Sequence, residues 1–66
     1  MRLWVNGEVR EARDGENLLA LLEGMSINPL KVAVERNLAI VPKSGYSNTV
    51  LEPDDKLEIV QFVGGG

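Results

Sequence analysis

Apolar residues alternate at the start of the chain, where Leu3 and Val5 flank Trp4 within Met1 to Val5. A period of two places alternate side chains on opposite faces of a strand. Asn6-Gly7 follows, and this dipeptide is a strong short hairpin signal. A second strand is therefore expected over Glu8 to Ala12. A strict two-residue turn would set Val5 opposite Glu8 and turn Val9 to the other face, whereas a longer loop with a bulge would set Val5 beside Val9. We expect the bulged form, because it buries Val9. Leu18, Leu21, Leu22 and Met25 then recur at helical spacing. Asn17 to Glu23 thus reads as a short amphipathic helix whose apolar stripe packs into a core. Asp14 is the expected N-cap, and Gly24 the expected left-handed residue that ends the helix.

After a loop containing Pro29, Lys31 to Arg36 alternates again, with Val32 and Val34 on one face. Asn37-Leu38 reads as a turn. Ala39 to Val41 is a short strand closed by Pro42, which cannot donate to a ladder and suits an edge or a strand end. Ser44 to Asn48 is polar and fits a single 3₁₀ turn carrying Tyr46. Glu52-Pro53-Asp54-Asp55 is a turn with proline preset for its second position. Lys56 to Val63 is the clearest strand, with Leu57, Ile59, Gln61 and Val63 alternating against Glu58, Val60 and Phe62.

One helix among five short strands can cover one face of a mixed sheet, but it cannot serve a doubly wound one. The expected class is α+β: a mixed four- to five-stranded sheet packed on one main helix. The first hairpin is antiparallel, and the last strand can lie parallel to the first in mid-sheet. This is the β-grasp arrangement. Its single core is expected to hold Leu3, Val5, Leu18, Leu21, Leu22, Met25, Val32, Val34, Leu57 and Ile59. Residues 1–63 form this domain, and residues 64–66 a flexible glycine tail.

The 66 residues carry 7 basic and 10 acidic side chains, a net charge of −3, and neither cysteine nor histidine. Disulfides, thiolate nucleophiles, most structural zinc sites and the commonest general base are thereby excluded. The acidic balance and the scattered basic residues argue against nucleic acid, whose binding relies on clustered Lys and Arg. No apolar run approaches a membrane span. Met1 to Val5 is interrupted by Asn6-Gly7-Glu8, so it is not expected to act as a signal peptide. The expected compartment is the cytoplasm. Glu52, Asp54 and Asp55 suggest a magnesium site on paper, but we read them as a solvated turn built on Pro53.

The last strand runs into Gly64-Gly65-Gly66. Glycine adds no side chain to a core and weakens a strand. One reading is a frayed terminus. The other is functional: a peptide without Cβ atoms can thread a narrow tunnel and bring its backbone close to another protein's reactive groups. The Gly66 carboxylate would then be the chemical handle. A carboxylate resists attack until one oxygen becomes a good leaving group. Adenylation by ATP achieves this, and a sulfur nucleophile can displace AMP to leave a thiocarboxylate.

"VAVERN" (Val32 to Asn37), "IVPKSGY" (Ile40 to Tyr46) and "DDKLEIVQFVGGG" (Asp54 to Gly66), with the Asn6-Gly7 turn, resemble the ubiquitin-like sulfur carriers of thiamine biosynthesis, the ThiS family. The resemblance implies that an E1-like adenylyltransferase activates Gly66 with ATP and magnesium. It also implies that a persulfide derived from a cysteine desulfurase supplies the sulfur. The C-terminal residue becomes 1-thioglycine, and thiazole synthase takes the sulfur into the thiazole ring. The carrier is then a substrate and not an enzyme, with no cofactor or metal of its own. Alternatives with the same fold are the small subunit of molybdopterin synthase, another ubiquitin-like sulfur carrier, or a protein modifier joined to lysines.

If Leu57 and Ile59 face the helix, Val60 and Phe62 lie on the uncovered face just before the tail. Apolar residues rimmed by polar ones often mark interfaces. Val60, Phe62, Val63 and Ile40 are therefore the expected partner-docking residues, with Ala33 and Trp4 as possible extensions. Gly64 and Gly65 would thread the partner's active site.

Overall fold

The computed structural model describes residues 1–62. It contains β1 (Arg2–Val5), β2 (Glu8–Glu11), α1 (Leu18–Gly24), β3 (Val32–Arg36), β4 (Ala39–Val41) and β5 (Lys56–Gln61). Short 3₁₀ segments cover Pro29–Lys31 and Lys43–Asn48. The strands form one mixed sheet in the order β2-β1-β5-β3-β4. β5 lies at its centre, parallel to β1 and antiparallel to β3. This is the expected β-grasp arrangement, with five strands. Val63 and the glycine tail, residues 64–66, lie outside the described residues.

The first hairpin corrects the expected bulge. Val5 pairs with Glu8 and Trp4 with Val9. Asn6 and Gly7 both have positive φ, 50° and 82°, as a two-residue turn matched to strand twist requires. Val9 is thereby turned to the outer face. Asn6 explains why this register wins. Its amide donates to the Ile59 carbonyl at 3.2 Å, and its side-chain oxygen accepts from the Ile59 N–H at 2.7 Å. A bulge would have moved Asn6 off β5 and left these central-strand groups unpaired, at a cost comparable to what burying one valine returns. The β3–β4 turn repeats the device. Asn37 has φ 51° and donates its backbone N–H to the Lys56 carbonyl at 2.8 Å. Its side-chain oxygen accepts from the Lys56 N–H at 2.9 Å.

Both expected helix ends move. Asn17, not Asp14, is the N-cap, accepting from the Ala20 N–H at 2.8 Å. Gly24 is helical, and the left-handed residue is Ser26, with φ 60°. Ser26 N–H bonds to the Glu23 carbonyl and Ile27 N–H to the Leu22 carbonyl, the paired bonds of a Schellman ending. Ile27 then folds back against the core, so the apolar contact at Ile27 sets the stop in preference to the nearest glycine.

The core contains Leu3, Val5, Leu18, Leu21, Leu22, Val32, Val34 and Leu57 as expected, while Met25 and Ile59 are only partly buried at its rim. Tyr46 and Leu51 join it without having been expected. They come from the segment between β4 and β5, which is bound to the helix start. Leu18 N–H donates to the Thr49 carbonyl, and Leu51 N–H to the Glu16 carbonyl, each at 2.9 Å. Helix and 3₁₀ segment together cover one face of the sheet; among the described residues the other face is bare.

Candidate functional site

The pairing register assigns the residues of the bare face. On β5 these are Lys56, Glu58 and Val60, alternating with inward Leu57 and Ile59. Ala33 lies opposite Val60, Glu35 opposite Glu58, and Ile40 opposite Glu35. Trp4 lies beside Lys56, and Val9 beside Trp4. Phe62 continues the alternation one residue past the strand. Ile40, Val60 and Phe62 are 77%, 61% and 56% exposed. The structure thus brings three of the expected docking residues onto one face, with Trp4, Val9 and Ala33 beside them. Sequence reasoning missed Val9, because it assigned Val9 to the core; only the hairpin register moves it here.

The last described residue, Phe62, is braced. Phe62 N–H donates to the Lys31 carbonyl at 2.9 Å. β4 stops at Val41, which pairs with Val34, so the Val32 carbonyl has no strand partner on that side. Tyr46 fills the gap, donating its hydroxyl at 3.1 Å, and Lys43 donates its ammonium to the same oxygen at 3.0 Å. Burial pushes the Tyr46 phenol up from its usual pKa, so it stays protonated and remains a donor near neutral pH. The Lys43 ammonium also sits 4.7 Å from the centre of the Phe62 ring, within cation–π range. Lys43 belongs to the quoted "IVPKSGY" run, but nothing in its spacing indicated this contact.

The acidic turn is solvated at Glu52, Pro53 and Asp54 as expected, but not at Asp55. Asp55 is 5% exposed. It accepts from Arg36 Nε at 2.8 Å, Asn37 Nδ2 at 3.0 Å and the Glu52 N–H at 2.9 Å. Burial pushes its carboxyl up. The Glu52 N–H, the Asn37 and Arg36 hydrogen bonds and the Arg36 charge outweigh that and hold it below the usual carboxylate range. Asp54 instead pairs with Arg2 at 3.2 Å. Two of the three acids are thus engaged with their own chain. Asp55 ties the end of β3 to the start of β5 and so fixes the strand that leads to the tail.

Two open grooves flank the sheet. One, about 380 Å³, is lined by Arg10, Arg13, Glu16 and Leu21; the other, about 350 Å³, by Met25, Ile27, Asn28 and Gln61. Neither sets a nucleophilic side chain beside a base. The described residues of the site form an exposed surface on one face of the sheet.

The model of the ThiS family matches residues 3–66. The chain belongs to the ThiS family. It is 38% identical over 65 residues to the sulfur carrier protein ThiS of Bacillus subtilis, covering 97% of this chain and 98% of that one. A crystal structure of the thiamine biosynthesis protein ThiS from Geobacter metallireducens superposes with a TM-score of 0.86 at 28% identity, covering all of both chains. The chain is also 50% identical over 66 residues to a thiazole synthase of Paramagnetospirillum magneticum and 47% identical to one of Magnetococcus marinus. It spans 20% of the length of each of these two relatives. ThiS-like sequence therefore occurs both as a chain of this size and as a fraction of a longer polypeptide.

Proposed function

We propose that this chain carries sulfur for the thiazole moiety of thiamine, as a substrate and not as a catalyst. The family match that runs through the terminal glycines, residues 3–66, carries the reading. The Gly66 carboxylate attacks the α-phosphate of ATP on an E1-like adenylyltransferase and displaces pyrophosphate. A persulfide, supplied through a cysteine desulfurase, displaces AMP to give an acyl disulfide on Gly66, and a thiol of the sulfur-delivering partner cleaves its S–S bond, leaving the thiocarboxylate of Gly66 and a disulfide on that partner. Thiazole synthase then receives that sulfur. ATP and magnesium belong to the adenylating partner. Gly64 and Gly65 thread the partner's active site, and Phe62, Val60, Val63 and Ile40 dock the domain against it. The exposure of Phe62, Val60 and Ile40 on one face supports this division of labour.

The test is an intact-mass measurement after incubation with ATP, magnesium, a sulfur source and the adenylating enzyme of the same organism. The chain should gain the mass difference between one sulfur and one oxygen, located at Gly66. A chain lacking Gly66 should gain nothing and keep its urea midpoint. Recovery of an isopeptide conjugate with no sulfur gain would replace the carrier reading with that of a protein modifier.

A further inference from the structure

The bare sheet face has a charge pattern that its fold does not use. Glu35 and Glu58 lie directly opposite each other on neighbouring strands. Like charges so placed oppose strand pairing. Both are exposed, and neither has an ion-pair partner among the described residues. Three cations lie on or beside the face, of which Lys43 is held by the Val32 carbonyl and the Phe62 ring. Arg2 is held by Asp54 and lies over the Trp4 ring, 5.9 Å from its centre. Lys56 is exposed and precedes Glu58 by two positions. Ile40, Ala33, Val60 and Trp4 surround the two carboxylates with apolar surface. An acidic centre inside an apolar rim costs the isolated domain and benefits only a complex that neutralises it.

Resting on the sulfur-carrier reading, we propose that this face docks an apolar surface of the adenylating partner bearing one arginine between Glu35 and Glu58. A guanidinium has several donors in one plane and can serve two carboxylates at once, where an ammonium acts as a point charge. A second copy of this chain fits poorly. Its matching face would bring a like-charged acidic centre, with only Lys56 uncommitted to meet it. The charge pattern also sets register. Apolar contact through Val60 and Phe62 is non-directional, whereas a bridged carboxylate pair selects the orientation in which β5 first docks on the partner.

The experiment measures pyrophosphate release by the adenylating enzyme that yields the thiocarboxylate, with the carrier varied at several salt concentrations. Glu35→Gln with Glu58→Gln should raise the KM for the carrier about tenfold at low salt, leave kcat unchanged and flatten the salt dependence. The urea midpoint of this double variant should stay the same or rise, because a repulsion has been removed. Glu58→Lys alone should raise the KM further. Wild-type KM and salt dependence in the double variant would overturn the docking proposal while leaving the carrier reading intact. A KM rise accompanied by a lower urea midpoint would also overturn it, since the pair would then act through the fold. Failure of the wild-type chain to release any pyrophosphate would sink both readings.

Discussion

The two faces of β5 carry residues of similar apolar character with opposite fates. Leu57 is 1% exposed under α1, whereas Val60, three residues later, is 61% exposed on the far side. The inner face is continuous with buried residues from β1, β3, α1 and the 3₁₀ segment. The outer face has none of the other described residues packed over it. Hydrophobic character alone therefore does not assign a residue to the core; the parity of its position on the strand does. The inner face holds the domain together, and the outer face is the one proposed to meet a partner.

The contrast is broken most strongly from inside. Leu57→Ala removes a fully buried side chain on the central strand and should lower unfolding stability by about 3 kcal/mol, read by urea denaturation. Asp55→Asn comes next. It removes a buried charge that joins β3, β5 and the turn, and should cost roughly 2 kcal/mol at neutral pH. Its pH signature is specific. The Asp55 carboxyl titrates lower in the fold than in the unfolded chain, where the ordinary value is 3.8. Its contribution is thus complete above that value and is lost as the pH falls from there through the lower folded one. The gap between wild type and Asp55→Asn should close across that acid window in urea midpoints measured against pH. The smallest stability effect belongs to the outer face. Phe62→Asp should cost less than about 1 kcal/mol, mainly through the lost contact with Lys43. It should nevertheless impair adenylation severely. A loss as large as that of Leu57→Ala would place Phe62 in the core and erase the distinction between faces.

Strand parity was legible because it needs only the spacing of Leu3 and Val5, or of Leu57 and Ile59. The helix was legible for the same reason, from Leu18, Leu21 and Leu22. Local features that depend on distant partners were not. The Asn6-Gly7 signal announced a hairpin, but its register was decided by Asn6 bonding Ile59, far along the chain. The stop at Ser26 depended on where Ile27 could reach apolar surface, so the nearby Gly24 misled. Asp55 looked like any acid of a polar turn until Arg36 and Asn37 closed over it. For the candidate site, alternation placed Val60 and Phe62, whereas Val9 and the bracing of Phe62 by Lys43 required the assembled sheet.

By itself the sequence determined the class of fold, the covered faces of β1, β3 and β5 and the glycine run of the family motif, because hydrophobic periodicity and the lack of Cβ atoms are properties of short stretches. Tertiary structure decided the hairpin register, the helix ends, the burial of Tyr46, Leu51 and Asp55, and the opposition of Glu35 to Glu58. Each of these turns on a hydrogen bond, contact or repulsion between residues distant in sequence, and such terms acquire a value only when the fold brings both groups to one place.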